Sequence, residues 1–174
     1  MTMSKIGLVL EGGGMKCAYT AGILDAMMDN GVTFDYCIGV SAGSANGVSF
    51  VAGQRGRNIR FYTEHINEKG YFGLSSFLKT GNLFGLQYIY GTLTNSGGAD
   101  PLDFDAFMKS PMEYWLVATD AQTGKPTYFS KKDMHKDDYR HVMASCAIPA
   151  VCRPVEIDGR FYYDGGVSDS IPVQ

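Results

Sequence analysis

Gly39-Val40-Ser41-Ala42-Gly43 is the stretch from which the rest of the chain is best read. The run into it, Tyr36-Cys37-Ile38-Gly39-Val40, is a short apolar segment of the kind that forms a buried strand. The run after it, residues 44–52, is rich in small residues and predicts a helix. A serine on such a strand-to-helix turn, in the pattern G-x-S-x-G, is a nucleophile elbow, whose sharp turn lifts the hydroxyl clear of its neighbours. Gly39 and Gly43 let the backbone turn tightly and let a carbonyl approach. The amides at the start of the following helix, from Ala42 onward, point free N–H groups to where negative charge would develop. An ordinary glycine-rich turn also fits the five residues taken alone; the strand before and the helix after favour the elbow.

Upstream, Lys5-Ile6-Gly7-Leu8-Val9-Leu10 is a continuous apolar run, as in a buried parallel strand, and Glu11-Gly12-Gly13-Gly14 breaks it. Residues 17–29 carry Ala18, Ala21, Ile23, Leu24, Met27 and Met28 on one side and stop at Asn30-Gly31, a helix with its terminator. Strand, helix, strand and helix in succession predict a parallel sheet with helices on its faces. Residues 53–70 predict a further helix, with Arg55, Arg57 and Arg60 on a solvated face. Residues 71–98 mix aromatics with glycines and have no period; they fit either a cap over the site or loops packed on the core. Downstream, Glu113-Tyr114-Trp115-Leu116-Val117-Ala118-Thr119 is a strand that turns at residues 122–126 and pairs with Thr127-Tyr128-Phe129. Residues 139–146 predict a short helix, and residues 153–157 and 160–163 a hairpin around Asp158-Gly159.

The 174 residues and an apolar content of 45% suit one domain with its own core. A net charge of −3 argues against nucleic acid as the main partner. No apolar run approaches the ~18 residues of a membrane span, and the first residues lead into a strand rather than a secretory signal. The four cysteines, Cys17, Cys37, Cys146 and Cys152, show neither C-x-x-C nor zinc spacing and read as free thiols. Together these features predict a cytoplasmic protein. They leave room for peripheral contact with a membrane through the aromatics of residues 71–90.

Gly12-Gly13-Gly14 sits at a strand-to-helix junction, but neither phosphate motif matches. G-x-x-x-x-G-K-[ST] is absent, and a dinucleotide fingerprint would need glycine where Cys17 stands. Consecutive glycines one strand–helix unit before Ser41 suit an oxyanion hole, since their amides are unobstructed; a structural turn is the other reading. Lys16 would either add positive potential there or be solvated. The serine also needs a base. His65, His135 and His141 all precede Asp164, so the order of a serine–acid–histidine triad is not met, and each histidine reads as structural. Asp164 stands at a strand end before Gly165 and Gly166, which allow another backbone to approach; Asp169 and Asp120 are weaker rivals, and a plain turn remains open.

The set Glu11-Gly12-Gly13-Gly14-Met15-Lys16, Gly39-Val40-Ser41-Ala42-Gly43, Ala144-Ser145-Cys146-Ala147-Ile148-Pro149, Asp158-Gly159 and Asp164-Gly165-Gly166, in that order, resembles the patatin-like phospholipases over nearly the whole chain. The resemblance implies an α/β fold: a three-layer patatin-like sandwich with a mainly parallel central sheet and helices on both faces. It implies Ser41 as nucleophile and Asp164 as base, with an oxyanion hole from Gly12, Gly13, Gly14 and Ala42. Lys16, Gly39, Gly43, Gly165 and Gly166 would support those motifs. It implies lipid acyl esters as substrates, no cofactor and no metal. Two features depart from the family pattern. Cys17 takes the place of the third spaced glycine, and the chain stops at Gln174, so residues 1–174 are expected to form one patatin-like domain incomplete at its C-terminal end. The rival readings are a non-catalytic lipid-binding or regulatory protein on the same scaffold and a nucleotide-binding module, the latter disfavoured by the failed phosphate motifs.

Overall fold

The structure, a computed structural model, describes residues 5–173. Six strands form one sheet: β1 (Gly7–Leu10), β2 (Tyr36–Val40), β3 (Glu113–Asp120), β4 (Pro126–Ser130), β5 (Val155–Ile157) and β6 (Arg160–Asp164). Their order is β1-β2-β3-β6-β5, and β4 pairs along β3 as well. The helices are α1 (Cys17–Asp29), α2 (Ala42–Val51), α3 (Arg57–Thr63), α4 (Leu74–Thr80), α5 (Leu86–Tyr88), α6 (Phe104–Lys109) and α7 (Arg140–Ser145). The expected α/β class holds: a mixed sheet flanked by helices. Strands β1, β2 and β3 are parallel, and the two predicted hairpins bring β4, β5 and β6 in antiparallel.

Residues 53–70 do not form one helix. Gly53 and Gly56 take positive φ, so α3 starts at Arg57, and a separate turn, His65–Asn67, follows.

The connections from β1 to β2 and from β2 to β3 step the same way across the sheet. Right-handed crossovers in one direction lay their helices on one face. That face carries Leu10, Cys37, Tyr114 and Leu116, packed with Leu24 of α1, Val48 and Phe50 of α2, and Phe107 of α6. Phe107 and Leu116 are completely buried, and such side chains contribute roughly 1.5–3 kcal/mol each. The opposite face bears Val9, Tyr36, Ile38, Val40, Trp115 and Val117. A turn at Gly165–Val167 packs there, close enough that a Cβ on Gly165 would lie 2.2 Å from the Val117 carbonyl oxygen.

The register on β3 places the site. Residues 115–119 of β3 pair with β4 along one edge. On the other edge β2 runs parallel as far as Val40, opposite Val117, and β6 arrives antiparallel to finish with Asp164 opposite Ala118. The two strands therefore end against each other on one edge, and the next residue of β2 is Ser41.

The start of α2 is pressed against the end of β1: a Cβ on Gly43 would lie 2.3 Å from the Leu10 carbonyl oxygen. Gly22, exposed in α1, has open space around it. Gly43→Ala is expected to destabilise the chain by about 1–3 kcal/mol, the range for overpacking. Gly22→Ala should stabilise it by about 0.5–1 kcal/mol. Chemical denaturation of the two variants checks the pair.

Candidate active site

Ser41 joins β2 to α2 with φ 54° and ψ −131°. A non-glycine residue at such angles costs on the order of 1–3 kcal/mol and persists only where its surroundings over-determine it. Three hydrogen bonds do so. The Ser41 N–H donates to Ser145 Oγ (2.9 Å), and its carbonyl accepts from Ser44 Oγ (2.7 Å) and from the Ser44 N–H (2.9 Å). Gly39 allows the turn to close, since a Cβ there would lie 2.5 Å from Ser44 Cα. Ser44, the other serine near the elbow, is fully buried with its hydroxyl committed to the Ser41 carbonyl.

Asp164 is fixed at both ends of its backbone. Its N–H donates to the Ala147 carbonyl (2.9 Å), and its carbonyl accepts from Thr119 Oγ1 (2.8 Å). Its carboxylate accepts the Ser41 hydroxyl at Oδ2 (2.6 Å) and the Gly166 N–H at Oδ1 (2.8 Å). Both Ser41 and Asp164 are buried. Burial pushes the Asp164 carboxyl above the usual carboxylate range, opposed by the hydrogen bonds from Ser41 and Gly166.

The glycine loop passes beside this pair. A Cβ on Gly12 would lie 2.8 Å from Ser41 Cβ, and Gly14 takes φ 52°. Among the described residues, the N–H groups of Gly12, Gly13, Gly14 and Ala42 donate no hydrogen bond within the chain. Cys17 lies buried under the loop, its thiol directed at the Glu11 carbonyl (3.7 Å), at ordinary contact distance from where a Gly13 Cβ would stand. Cysteine thus fits in place of the third glycine. Lys16 is exposed on the turn Gly14–Lys16.

The other candidate bases lie in other networks. His65 bonds Glu68 (2.6 Å) and Asp100 (3.1 Å) through its two ring nitrogens, His141 packs edge-on against Phe129, and His135 sits in a bridge with Asp138. Asp120 caps the turn at Gln122 and Thr123, and Asp169 accepts from the Tyr128 hydroxyl. Among the described residues none of these bonds Ser41 or Asp164. Ser145 and Thr119, which hold the pair in place, carry no motif of their own; the run Ala144-Ser145-Cys146-Ala147-Ile148-Pro149 was the one signal near them.

A cavity of about 110 Å³ opens beside Ser41 and Ala42. Val48, Phe61, Phe84, Leu86, Ile89 and Val142 give it apolar walls. Residues 71–98, which the sequence left as either a cap or core packing, supply one side of this cavity through Tyr71, Phe84, Leu86 and Ile89. One expectation is overturned here. Arg55 is exposed and pairs with Asp29, but Arg57 is only 4% exposed and lines the cavity. Its guanidinium is drawn inward by Asp100 and donates to Ser49 Oγ (2.8 Å), Thr94 Oγ1 (3.1 Å) and the Asp100 carbonyl (2.9 Å). Arg60 makes a two-point contact with the Asp100 carboxylate.

The model of the patatin-like phospholipase family matches residues 8–174. The chain belongs to that family. It is 31% identical over 175 residues to the protein YjjU of Escherichia coli, an alignment covering 98% of this chain and 48% of that one. It is 28% identical over 170 residues to Lysophospholipase NTE1 of Yarrowia lipolytica, covering 97% of this chain and 11% of that one. Its fold is similar to that of VipD from Legionella pneumophila, with a TM-score of 0.63 at 13% identity, over 98% of this chain and 47% of VipD. The chain thus spans about half the length of YjjU and of VipD. No helix among the described residues is long and apolar enough to cross a membrane.

The raised pKa of Asp164 has a signed consequence for stability. The folded chain holds this proton more tightly than the unfolded chain, so ionisation is penalised in the fold. The residue's contribution is most favourable below its unfolded pKa, falls as pH rises through its folded pKa, and is level above it. Asp164→Asn lacks that slope. Urea unfolding from acid to neutral pH should show the variant gaining on the wild type as pH rises. A difference that stays constant, or moves the other way, would contradict a buried, proton-retaining carboxylate.

Proposed function

We propose that this chain is a serine esterase that cleaves carboxylic esters of phospholipids or lysophospholipids, with Ser41 as nucleophile and Asp164 as base. The observation that carries this reading is the 2.6 Å hydrogen bond from Ser41 Oγ to Asp164 Oδ2, with Ser41 lining a mostly apolar cavity. Family membership and the likeness to a lysophospholipase support a lipid ester as substrate. Met15 and Ile148 line the cavity and are partly exposed, and Phe72, Phe77 and Leu78 are exposed as well, which supports peripheral contact with lipid.

In the first step Ser41 Oγ attacks the acyl carbonyl while Asp164 takes the hydroxyl proton. The carbonyl oxygen becomes an oxyanion, stabilised by the free amides of Gly12, Gly13, Gly14 and Ala42. One such donor is worth roughly 2.7–4 kcal/mol in acyl transfer. The carbon–oxygen bond to the leaving alcohol then breaks, and Asp164 returns the proton to that alcohol. Water, deprotonated by the same carboxylate, attacks the acyl-serine; the acid departs and the proton goes back to Ser41. Burial helps Asp164 in this role, because a carboxylate with a raised pKa is a stronger base.

Ser41→Ala and Asp164→Asn are each expected to lower ester turnover by at least ~10³-fold, with the double variant little worse, since residues acting as a unit are not additive. Ser41→Ala should also abolish labelling by a fluorophosphonate. Replacing His65, His135 and His141 by glutamine should cost far less in activity per folded molecule. Undiminished turnover of Ser41→Ala would end the assignment. Lipid binding without turnover or labelling in the wild type would favour the non-catalytic lipid-binding reading.

A further inference from the structure

The cavity beside Ser41 is not apolar throughout. Arg57 and Tyr139 both line it, 4% and 2% exposed, and each has a buried polar atom without a hydrogen-bond partner: Nε of Arg57 and the phenol oxygen of Tyr139. Most buried polar groups find partners, and leaving one unpaired costs about 1–3 kcal/mol. Two such atoms on residues that line one cavity call for an explanation.

The surroundings show what kind of group would satisfy them. Arg57 is held in place by Ser49, Thr94 and the Asp100 carbonyl, while its Nε faces an Asp100 carboxylate oxygen at 3.5 Å, outside hydrogen-bond geometry. That carboxylate is already engaged by Arg60 and His65. Burial lowers the Arg57 pKa to about 10, so the guanidinium remains cationic at neutral pH. Burial raises that of Tyr139, which keeps its phenol protonated and able to donate. Arg57 and Tyr139 also lie near enough to affect each other's ionisation. Arg57 and Arg60 share the Asp100 carboxylate, and His65 bonds both Asp100 and Glu68. Unpaired N–H and O–H donors call for an oxygen acceptor.

We propose that Tyr139 and Arg57 form a subsite for an oxygen carried on the acyl chain, remote from the ester, so that the cavity selects hydroxylated or carboxylated acyl groups over plain alkyl ones. That the occupant is an acyl chain rests on the esterase reading above. The two unpaired donors on residues of the cavity lining do not. A site built to hydrogen-bond a hydroxyl discriminates against an analogue lacking it, because its own polar groups are then left unpaired.

The test is equilibrium binding, which needs no turnover. Calorimetric titration of the full chain with plain fatty acids and with ω-hydroxy and ω-carboxy fatty acids of increasing length should show a preference of about 10-fold for an oxygenated chain at one length, about 1.4 kcal/mol. Tyr139→Phe, which keeps the ring against Phe104, should bring that preference close to unity, chiefly by raising plain-chain affinity, since no hydroxyl is then left unpaired beside the chain. Arg57→Lys, which keeps the charge but loses Nε, should weaken the preference, most for the carboxylated chains. Equal affinity for plain and oxygenated chains at every length would overturn the proposal and leave the two groups to ordered water. So would a preference that Tyr139→Phe does not alter. A binding preference without any ester turnover would sink the esterase reading and leave the subsite standing.

Discussion

Strand β3 serves two partners on one edge, and the site depends on that arrangement. Strand β2 occupies the first part of the edge and stops at Val40; β6 comes from the opposite direction and stops at Asp164. Their C-terminal ends meet where β3 passes from Val117 to Ala118. A hydroxyl and a carboxylate 123 residues apart in sequence are thereby held 2.6 Å apart by the backbone ladder itself. Neither group relies on a flexible loop for its position. Thr119, on β3, accepts the role of a brace by donating to the Asp164 carbonyl, so the strand that aligns the pair also locks it.

Close backbone packing is the second constraint. The positive φ at Ser41 is stable because Ser145 and Ser44 bind its main-chain groups, and because Gly39 and Gly43 leave room for α2 to abut β2 and β1. The same economy of side chains leaves amides bare. Gly12 lies against Ser41, and the N–H groups of the glycine loop and of Ala42 have no acceptor within the described chain. Free donors beside the Ser41 hydroxyl are what a negative charge developing there would need.

The cavity adds a chemical asymmetry to the candidate site. Apolar side chains from α2, α3 and residues 71–98 line most of it, yet a buried guanidinium and a phenol interrupt that lining. The charge is tolerated because Asp100 binds Arg57 and Arg60 together and links them to His65 and Glu68. This network joins α3, the turn after it and residues 94–100, so the cavity wall is tied together by ion pairs as well as by packing.

The local features were legible in the sequence. Runs of apolar residues marked β1, β2 and β3, the small residues after Ser41 marked α2, and the hairpin turns marked the pairing of β4 with β3 and of β5 with β6, because each depends on neighbours within a few residues. The candidate pair, Ser41 and Asp164, was legible too, since each carries glycines that such a turn requires. What lies across the chain was not. Nothing near Arg57 in sequence reveals that Asp100, 43 positions away, draws it inward, so a basic helix start read as a solvated face. Thr119 has no local signature, and the run around Ser145 did not reveal what Ser145 holds, because both roles exist only once α7 and β3 are packed against the elbow. The sequence by itself determined which residues could turn, pair and react. The tertiary structure decided which of them meet, because the shared edge of β3 and the burial of Asp100 are properties of strand order and packing, and these have no period along the chain.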